Sequence, residues 1–305
     1  MRILEPGKIS DHVYFLGDYF ITFYLIDAPQ KALIDAGMSV YVKELTRQIE
    51  EKIGGFKNLS YIFLTHSHYD HVGLVSYIKR VNPEVKVVAH PYAIKVFQNP
   101  RAMEIIRELN KESLRFKPEL EEDWRSAAEI DKIEVDTTPE HRDVFDLGND
   151  VNLTIFYTPG HTKDSVTYYL SPDKAVFGSD GLGVYTGSGS IMAEFLSDYR
   201  EYLNSIKFLK NLDIELLCLP HSGVVKGKSQ IQRHIQQHLE ETISFRNRII
   251  SLYRRFGDIE KVVKTITMED YEKEQIFQPI EAYLINLRAM VKSALESVGE
   301  EEFKS

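Results

Sequence analysis

The chain has little cysteine and contains no long apolar run. A single cysteine among 305 residues excludes a framework of disulfide bonds. Cys218 lies within an apolar segment and is interpreted as a small buried side chain. No run approaches the ~18 apolar residues of a membrane-spanning helix, and the first residues lack the apolar core of a signal peptide. The sequence therefore predicts a cytoplasmic protein that does not enter a membrane.

Negatively charged residues outnumber positively charged ones. The chain contains 37 Lys and Arg residues against 46 Asp and Glu residues, which gives a formal net charge of −9 at pH 7. Nucleic acid is not an expected partner, because binding to a phosphate backbone requires a basic surface. Hydrophobic residues make up 43% of the chain, enough for one large domain or two smaller ones. These limits favour an enzyme that acts on a small molecule.

Candidate metal ligands are concentrated in one short segment. Residues 65–71, Thr-His-Ser-His-Tyr-Asp-His, follow an apolar segment at 61–64 that is predicted to be a buried strand. The segment contains four side chains that can bind a metal: His66, His68, Asp70 and His71. Imidazole and carboxylate groups are ligands of zinc and of non-haem iron. The alternative is a polar loop with solvated histidines, which the number and spacing of the ligands disfavour.

The spacing within this segment predicts how the ligands are arranged. In an extended segment alternate side chains face the same side, so His66, His68 and Asp70 are expected to point one way. Residues 72–80 have helical apolar spacing and a basic end. A turn from strand to helix at His71 would aim two ligands at one metal and two at a second metal nearby.

Three later segments each supply one further ligand. Apolar runs at 153–157, 175–177 and 216–219 each lead into a turn that contains glycine. The turns hold one candidate ligand apiece: His161, Asp180 and His221. Functional side chains commonly lie on loops at the ends of strands. Each of these residues alone is best explained as structural, but four strand-end loops with metal ligands indicate a single site.

This pattern resembles the metallo-β-lactamase superfamily of binuclear metal hydrolases, over roughly residues 8–228. The resemblance implies an α+β fold, a four-layer αββα sandwich. It also implies that the first metal is held by His66, His68 and His161, and the second by Asp70, His71 and His221, with Asp180 bridging both. The expected cofactors are two divalent metal ions, zinc first, with iron or manganese as alternatives. His68 stands where the diiron oxygen-reducing branch has Glu, which favours hydrolysis.

The expected chemistry is attack by a metal-bridging hydroxide. Two metals ~3.5–4 Å apart can share a hydroxide and stabilise both the attacking and the leaving oxygen. Asp70 and Asp180 are the predicted catalytic carboxylates, and Asp70 could orient the nucleophile and pass its proton to the leaving group. Val184 and Tyr185 follow Asp180 closely and are predicted to bind substrate, with packing of the pocket as the alternative for Tyr185.

The chain is predicted to consist of a catalytic domain with helical additions. Residues 1–228 form the metallo-β-lactamase-like domain, with a helical insertion at about 99–131, and residues 229–305 form a helical extension. The extension is interpreted as a lid over the metal cleft, with a structural brace or a homodimer surface as the alternatives. His234 and His238 lie four residues apart in it and are predicted to occupy a solvated helix face.

Short matches and the helical tail are similar to one branch, the quinolone-signal response thioesterases. The matches include Pro6-Gly7-Lys8-Ile9 and Gly181-Leu182-Gly183. This similarity implies a small-molecule acyl ester or thioester substrate. A lactonase or a phosphodiesterase of the same fold is an alternative. A further alternative is a ligand-responsive regulatory protein in which the hydrolytic site is vestigial.

Overall fold

The computed structural model describes residues 1–127, 129–276 and 278–298. Its strands are β1 (Arg2–Ile3), β2 (Gly7–Lys8), β3 (Val13–Gly17), β4 (Thr22–Ile26), β5 (Ala32–Ile34), β6 (Tyr61–Phe63), β7 (Lys86–Val88), β8 (Val144–Asp146), β9 (Asn152–Tyr157), β10 (Val166–Ser171), β11 (Ala175–Gly178), β12 (Val184–Tyr185), β13 (Ile191–Met192), β14 (Leu216–Cys218) and β15 (Val224–Lys226). Its α-helices are α1 (Val42–Ile53), α2 (Tyr69–Val72), α3 (Val75–Val81), α4 (Pro91–Phe97), α5 (Pro100–Glu112), α6 (Glu122–Ala127), α7 (Tyr199–Leu209), α8 (Lys228–Phe256), α9 (Ile259–Asp270) and α10 (Ile280–Glu296).

The strands form two large sheets. The first has the order β2-β3-β4-β5-β6-β7, and the second has the order β1-β15-β14-β11-β10-β9-β8. In the second sheet β11 and β14 are parallel, while β10 is antiparallel to both β9 and β11. The strands β9, β11 and β14 therefore run in one direction, and their carboxyl ends lie at the same edge. His161, Asp180 and His221 follow those three ends.

The two sheets pack face to face through large apolar side chains. Tyr24 of the first sheet lies against Phe177 of the second, with ring centroids 5.3 Å apart. Phe63 and Tyr168 form a similar contact at 5.4 Å. Aromatic pairs at this separation add to the stabilisation from burial alone. This layer is the central core of the molecule.

Helices cover the outer face of each sheet. Leu45 and Ile49 of α1 pack with Leu33 and Ile62 of the first sheet. Helix α8 packs against β15 of the second sheet, and its Ile231 joins a cluster with Val176 and Leu217. Helices α7, α9 and α10 pack against α8. The predicted α+β fold, a four-layer αββα sandwich with C-terminal helices, is therefore confirmed.

Both predicted helical regions contain helices. Helix α5 begins at Pro100, and the Asn99 side chain accepts a hydrogen bond from the amide N–H of Arg101 at 3.0 Å, as expected of an N-terminal cap. Helix α8 ends at Phe256, and Gly257 caps it with a φ of 61°, in the left-handed region. Residue 128 of the insertion and residues 277 and 299–305 of the extension lie outside the described residues. Across the described ranges, every helix is too short or too polar to cross a membrane.

Candidate metal centre

Asp35 organises the loop that carries the first four ligands. It follows β5 with a φ of 59°, and its carboxylate accepts hydrogen bonds from the Thr65 amide N–H at 2.7 Å and the Thr65 hydroxyl at 2.8 Å. Thr65 lies just beyond the end of β6, which is parallel to β5. The carboxylate thus fixes the chain immediately before His66.

The loop after Thr65 is not an extended strand throughout. His66 and His68 lie in irregular backbone, and a short helix, α2, begins at Tyr69. Strict alternation predicted that Asp70 would share a face with His66 and His68. Because the backbone is not extended there, Asp70 does not share that face. The helical turn aims it with His71 at a second group of ligands, so the predicted division of the four ligands into two pairs matches the geometry.

The first cluster consists of His66, His68, His161 and Asp180. His161 Nε2 lies 3.1 Å from His68 Nδ1. Asp180 Oδ2 lies 3.5 Å from His161 Nε2 and 3.8 Å from His66 Nε2. All the candidate ligand atoms of this cluster are within 4.8 Å of one another, which a single ion could satisfy.

The second cluster consists of Asp70, His71, His221 and Asp180. Asp180 Oδ1 lies 3.3 Å from His221 Nε2 and 3.6 Å from His71 Nε2. Asp70 Oδ2 lies 3.5 Å from His221 Nε2. Asp180 thus presents one carboxylate oxygen to each cluster, which is the arrangement a bridging ligand requires.

Hydrogen bonds at Nδ1 orient three of the histidines. His71 donates from Nδ1 to Asp35 at 2.8 Å, His161 to the backbone carbonyl of Glu194 at 2.8 Å, and His221 to that of Phe20 at 2.6 Å. Each bond turns Nε2 of its histidine toward the clusters. Metal-binding histidines are commonly held by such outer partners.

Buried atoms without hydrogen-bond partners show that the site fits metal ions. His66 Nε2, His71 Nε2 and Asp180 Oδ1 are buried and have no hydrogen-bond partner among the described residues. Unsatisfied buried polar atoms are rare and destabilising. Divalent ions would satisfy all three, and a donor set of imidazoles and carboxylates suits zinc, iron or manganese. The clusters therefore indicate divalent metals, and the identity of the metal is not fixed by the ligands.

The protonation of the site is dominated by burial and by neighbouring charges. Burial lowers the pKa of His161 to about 4, so its imidazole is neutral and able to bind a metal. Burial opposes ionisation of Asp180, but the charges of His221 and His71 outweigh it and hold the pKa of that carboxyl well below its usual range. Burial also lowers the pKa of His71, but the carboxylates of Asp35 and Asp180 outweigh it and raise that pKa to about 10.

A cavity of about 450 Å³ opens onto the second cluster. Asp70, Asp180 and His221 line it, and most of the remaining wall is apolar or aromatic. The predicted substrate residues Val184 and Tyr185 lie in this wall, on a hairpin of β12 and β13. Both helical additions reach the cavity, through Phe116, Lys117, Ile276, Gln278 and Pro279.

The prediction of a solvated face for His234 and His238 is wrong. The two side chains are only 2% and 1% exposed. Each forms a hydrogen bond with a tyrosine: His234 Nδ1 accepts from the Tyr185 hydroxyl at 2.9 Å, and His238 Nε2 is bonded to the Tyr202 hydroxyl at 2.9 Å. Because these partners lie far away in the sequence, the helix pattern alone does not reveal them.

Sequence reasoning also missed Asp35 and Glu194. Asp35 had a usable signal, since an ionisable residue directly after a buried strand needs partners. Glu194 has no such signal. The residue is only 4% exposed, and its backbone carbonyl accepts a hydrogen bond from His161, 33 residues away in the sequence.

Comparison with known proteins decides the family. A family model described as the metallo-beta-lactamase superfamily matches residues 16–221. The chain belongs to the metallo-β-lactamase superfamily. Members of this superfamily are generally metal-dependent hydrolases, so the prediction of such an enzyme is confirmed at that level.

The similar proteins include one whose name gives only its fold and one whose name gives an enzymatic activity. The metallo-beta-lactamase fold-containing protein ST1585 of Sulfurisphaera tokodaii is 26% identical over 68% of this chain and 74% of its own length. A hydroxyacylglutathione hydrolase of Buchnera aphidicola is 30% identical over 68% of this chain, and the match spans 63% of its length, less than two thirds.

A solved structure shares the fold of this superfamily member over nearly its whole length. It is the metallo-beta-lactamase family protein TTHA1429 of Thermus thermophilus, with a TM-score of 0.64 and 16% identity over 98% of this chain and 93% of that chain. At this identity the likeness concerns the fold alone.

Proposed function

We propose that the protein is a binuclear metal-dependent hydrolase that cleaves an ester or thioester bond in a small acyl substrate. The observation that carries the proposal is the pair of ligand clusters sharing Asp180 beside a largely apolar cavity. The name of the Buchnera relative describes hydrolysis of an acylglutathione, which supports a thioester substrate. The similarity to the quinolone-signal response thioesterases supports the same substrate class.

The metal ligands divide as the two clusters do. His66, His68 and His161 would hold the first ion, the group of Asp70, His71 and His221 would hold the second, and Asp180 would bind both. When bound, two divalent ions would supply a nucleophile from water at neutral pH and a Lewis acid for the acyl oxygen. Asp70 lines the cavity, where its carboxylate can accept a proton from water and return it to the leaving group.

The cavity wall defines what the substrate must contain. Apolar and aromatic side chains exclude water and favour an apolar acyl group. Gln278 also lines the cavity, and its Oε1 is buried without a hydrogen-bond partner among the described residues. That oxygen can accept a hydrogen bond from an N–H or O–H of the substrate. Val184 and Tyr185 lie in the cavity wall, close in sequence to Asp180, and are proposed to contact the substrate.

A phosphodiesterase is the less favoured enzyme of the same fold. Four carboxyl groups line the cavity, those of Asp18, Asp70, Asp180 and Glu194, and burial raises the pKa of Glu194 well above its usual range. Lys117 supplies the basic charge among the described lining residues, and its ammonium lies over the Tyr41 ring, 3.9 Å from the centroid. A lining with so little positive charge suits a neutral ester better than an anionic phosphodiester. A lactone ring meets the same requirements as an open ester and stays an alternative substrate.

Matched substrates test the proposal. Metal-loaded protein is given 4-nitrophenyl butyrate, an S-butyryl thioester of N-acetylcysteamine, γ-butyrolactone and bis(4-nitrophenyl) phosphate. We expect the ester or the thioester to be hydrolysed with the highest kcat/KM, at least tenfold above the lactone and the phosphodiester. A preference for the phosphodiester would contradict the proposal.

A double variant separates the enzyme from a regulatory protein with a vestigial site. His68→Ala with Asp180→Asn removes ligands of both clusters, so hydrolysis should be lost. If the biological role of the protein is also lost, catalysis is required for it. Retention of that role by the inactive variant would favour the regulatory alternative.

A further inference from the structure

Helix α8 presents two buried histidines to the loops that carry metal ligands. His234 and His238 lie four residues apart, so they occupy neighbouring positions on one face of the helix. The helix approaches the loop after Asp180 closely: a Cβ atom added at Gly183 would lie 3.2 Å from the His238 ring. The two imidazoles therefore lie between the extension and the metal centre.

His238 is linked to His161 through two further residues. Its Nε2 forms a hydrogen bond with the Tyr202 hydroxyl at 2.9 Å, and that hydroxyl makes only a long contact, 3.5 Å, with the Asp180 carbonyl. The same hydroxyl accepts one from the amide N–H of Glu194 at 3.1 Å, and the carbonyl of Glu194 accepts one from His161 Nδ1 at 2.8 Å. His161, Tyr202 and His238 are all buried, so solvent does not substitute readily for any of these bonds.

His234 is linked to the loop of Asp180. Its Nε2 donates to the carbonyl of Leu182 at 2.7 Å. Leu182 is the last residue of the 3₁₀ turn that starts at Asp180. Its Nδ1 accepts from the Tyr185 hydroxyl at 2.9 Å. With one nitrogen donating and the other accepting, the neutral imidazole has both of its hydrogen bonds satisfied. One side chain therefore fixes both ends of the segment from Leu182 to Tyr185.

We propose that His234 and His238 are positioning residues of the metal centre, with His238 holding His161 through Tyr202 and Glu194, and His234 holding Asp180 through Leu182. This inference rests on the proposed binuclear site and does not depend on which bond is cleaved. It gives the helical extension a role in metal binding, in addition to its contribution to the cavity wall. Apolar packing alone would not require nitrogen atoms at these two positions.

The two links predict different effects on metal affinity. His161 belongs to one cluster, whereas Asp180 belongs to both. His238→Phe should therefore weaken one of two stepwise zinc affinities about tenfold, a typical cost for loss of an outer partner. His234→Phe should weaken both steps. The stepwise affinities are measured on the full chain by competition with a chromophoric zinc chelator.

Three control variants separate hydrogen bonding from packing. His238→Gln and His234→Gln keep hydrogen-bonding groups and should restore zinc affinity to within about threefold of wild type. Thr242→Val is a matched buried change on α8, since the Thr242 hydroxyl bonds to the carbonyl of His238 within the helix. It should leave both zinc affinities within twofold of wild type. If a Phe variant does not fold, the corresponding Leu variant, which also lacks both ring nitrogens, is measured in its place against the same limits.

The outcomes separate this inference from the proposed function. A wild-type chain that binds no zinc contradicts the binuclear site itself. A wild-type chain that binds two zinc ions, with Phe variants within twofold of it, overturns only the positioning roles. Equal losses in Thr242→Val and in the histidine variants would also overturn those roles, because they would indicate general damage to α8.

Discussion

Among single residues, Asp180 is the ligand that both clusters share. Its Oδ2 faces the first cluster and its Oδ1 faces the second. Asp35 belongs to neither cluster, but it accepts hydrogen bonds from the cluster residue His71 and from Thr65. The two carboxylates therefore contribute at different distances from the reacting groups, and substitutions should show this difference.

Substitution of Asp35 should weaken the second metal site more than the first. Asp35→Asn retains the shape of the side chain but removes the charge that supports the His71 imidazole. We expect zinc affinity at one step to fall about 10- to 100-fold, with kcat reduced in parallel. Asp173→Asn is the matched control, because Asp173 accepts from His12 Nδ1 at 2.7 Å in a similar pair away from the clusters. Equal zinc affinities in the two variants would contradict this role for Asp35.

At the scale of elements, strand ends could be predicted well and helix faces less well. The apolar runs before His161, Asp180 and His221 predicted strands that the structure contains, because a buried strand has a local pattern. The start of α2 at Tyr69 was missed, since four residues of helix carry too little periodicity to detect. The burial of His234 could not be predicted because it depends on Tyr185, 49 residues away in sequence.

The helical additions should determine the length of acyl chain that the cavity accepts. Phe116 comes from the insertion and Ile276 from the extension, and both line the cavity. Phe116→Ala or Ile276→Ala should raise the KM for 4-nitrophenyl octanoate about tenfold and change the KM for the acetate less than twofold, since lost apolar contact costs about 1–3 kcal/mol.

An exposed isoleucine provides the control for that prediction. Ile285 lies on α10, is 52% exposed and does not line the cavity. Ile285→Ala should leave both KM values unchanged. If it raises the octanoate KM as much as Ile276→Ala does, the extension does not shape the acyl site in the way proposed.

For the whole molecule, buried neutral histidines should make stability depend on pH. Burial lowers the pKa of His234 from 6.5 to about 4, and burial also holds the pKa of His238 well below its usual value. Below the unfolded-state pKa the unfolded chain takes up protons that the folded chain excludes, so these residues reduce the free energy of unfolding as pH falls from about 7 to 4.

A comparison of variants isolates this effect. The free energy of unfolding is measured by denaturant titration of metal-free protein at pH 7.5 and pH 5. Wild type should lose about 1–3 kcal/mol more than His234→Gln between the two pH values. His71 changes in the opposite sense, because the pKa of about 10 in the fold favours the protonated form at low pH, but it is common to both proteins. An identical pH dependence in the two would show that His234 is not held neutral in the fold.

The central claim is that two ions held by seven side chains produce hydrolysis. The most direct measurement is the rate of 4-nitrophenyl butyrate hydrolysis by metal-free protein as zinc is added in known equivalents, alongside Asp180→Asn. We predict a rate that rises until two equivalents per chain are bound and stays more than 100-fold lower in Asp180→Asn, because that substitution removes the shared ligand. Hydrolysis that saturates well below one equivalent, is absent at every zinc concentration, or is unchanged in the variant would contradict the claim.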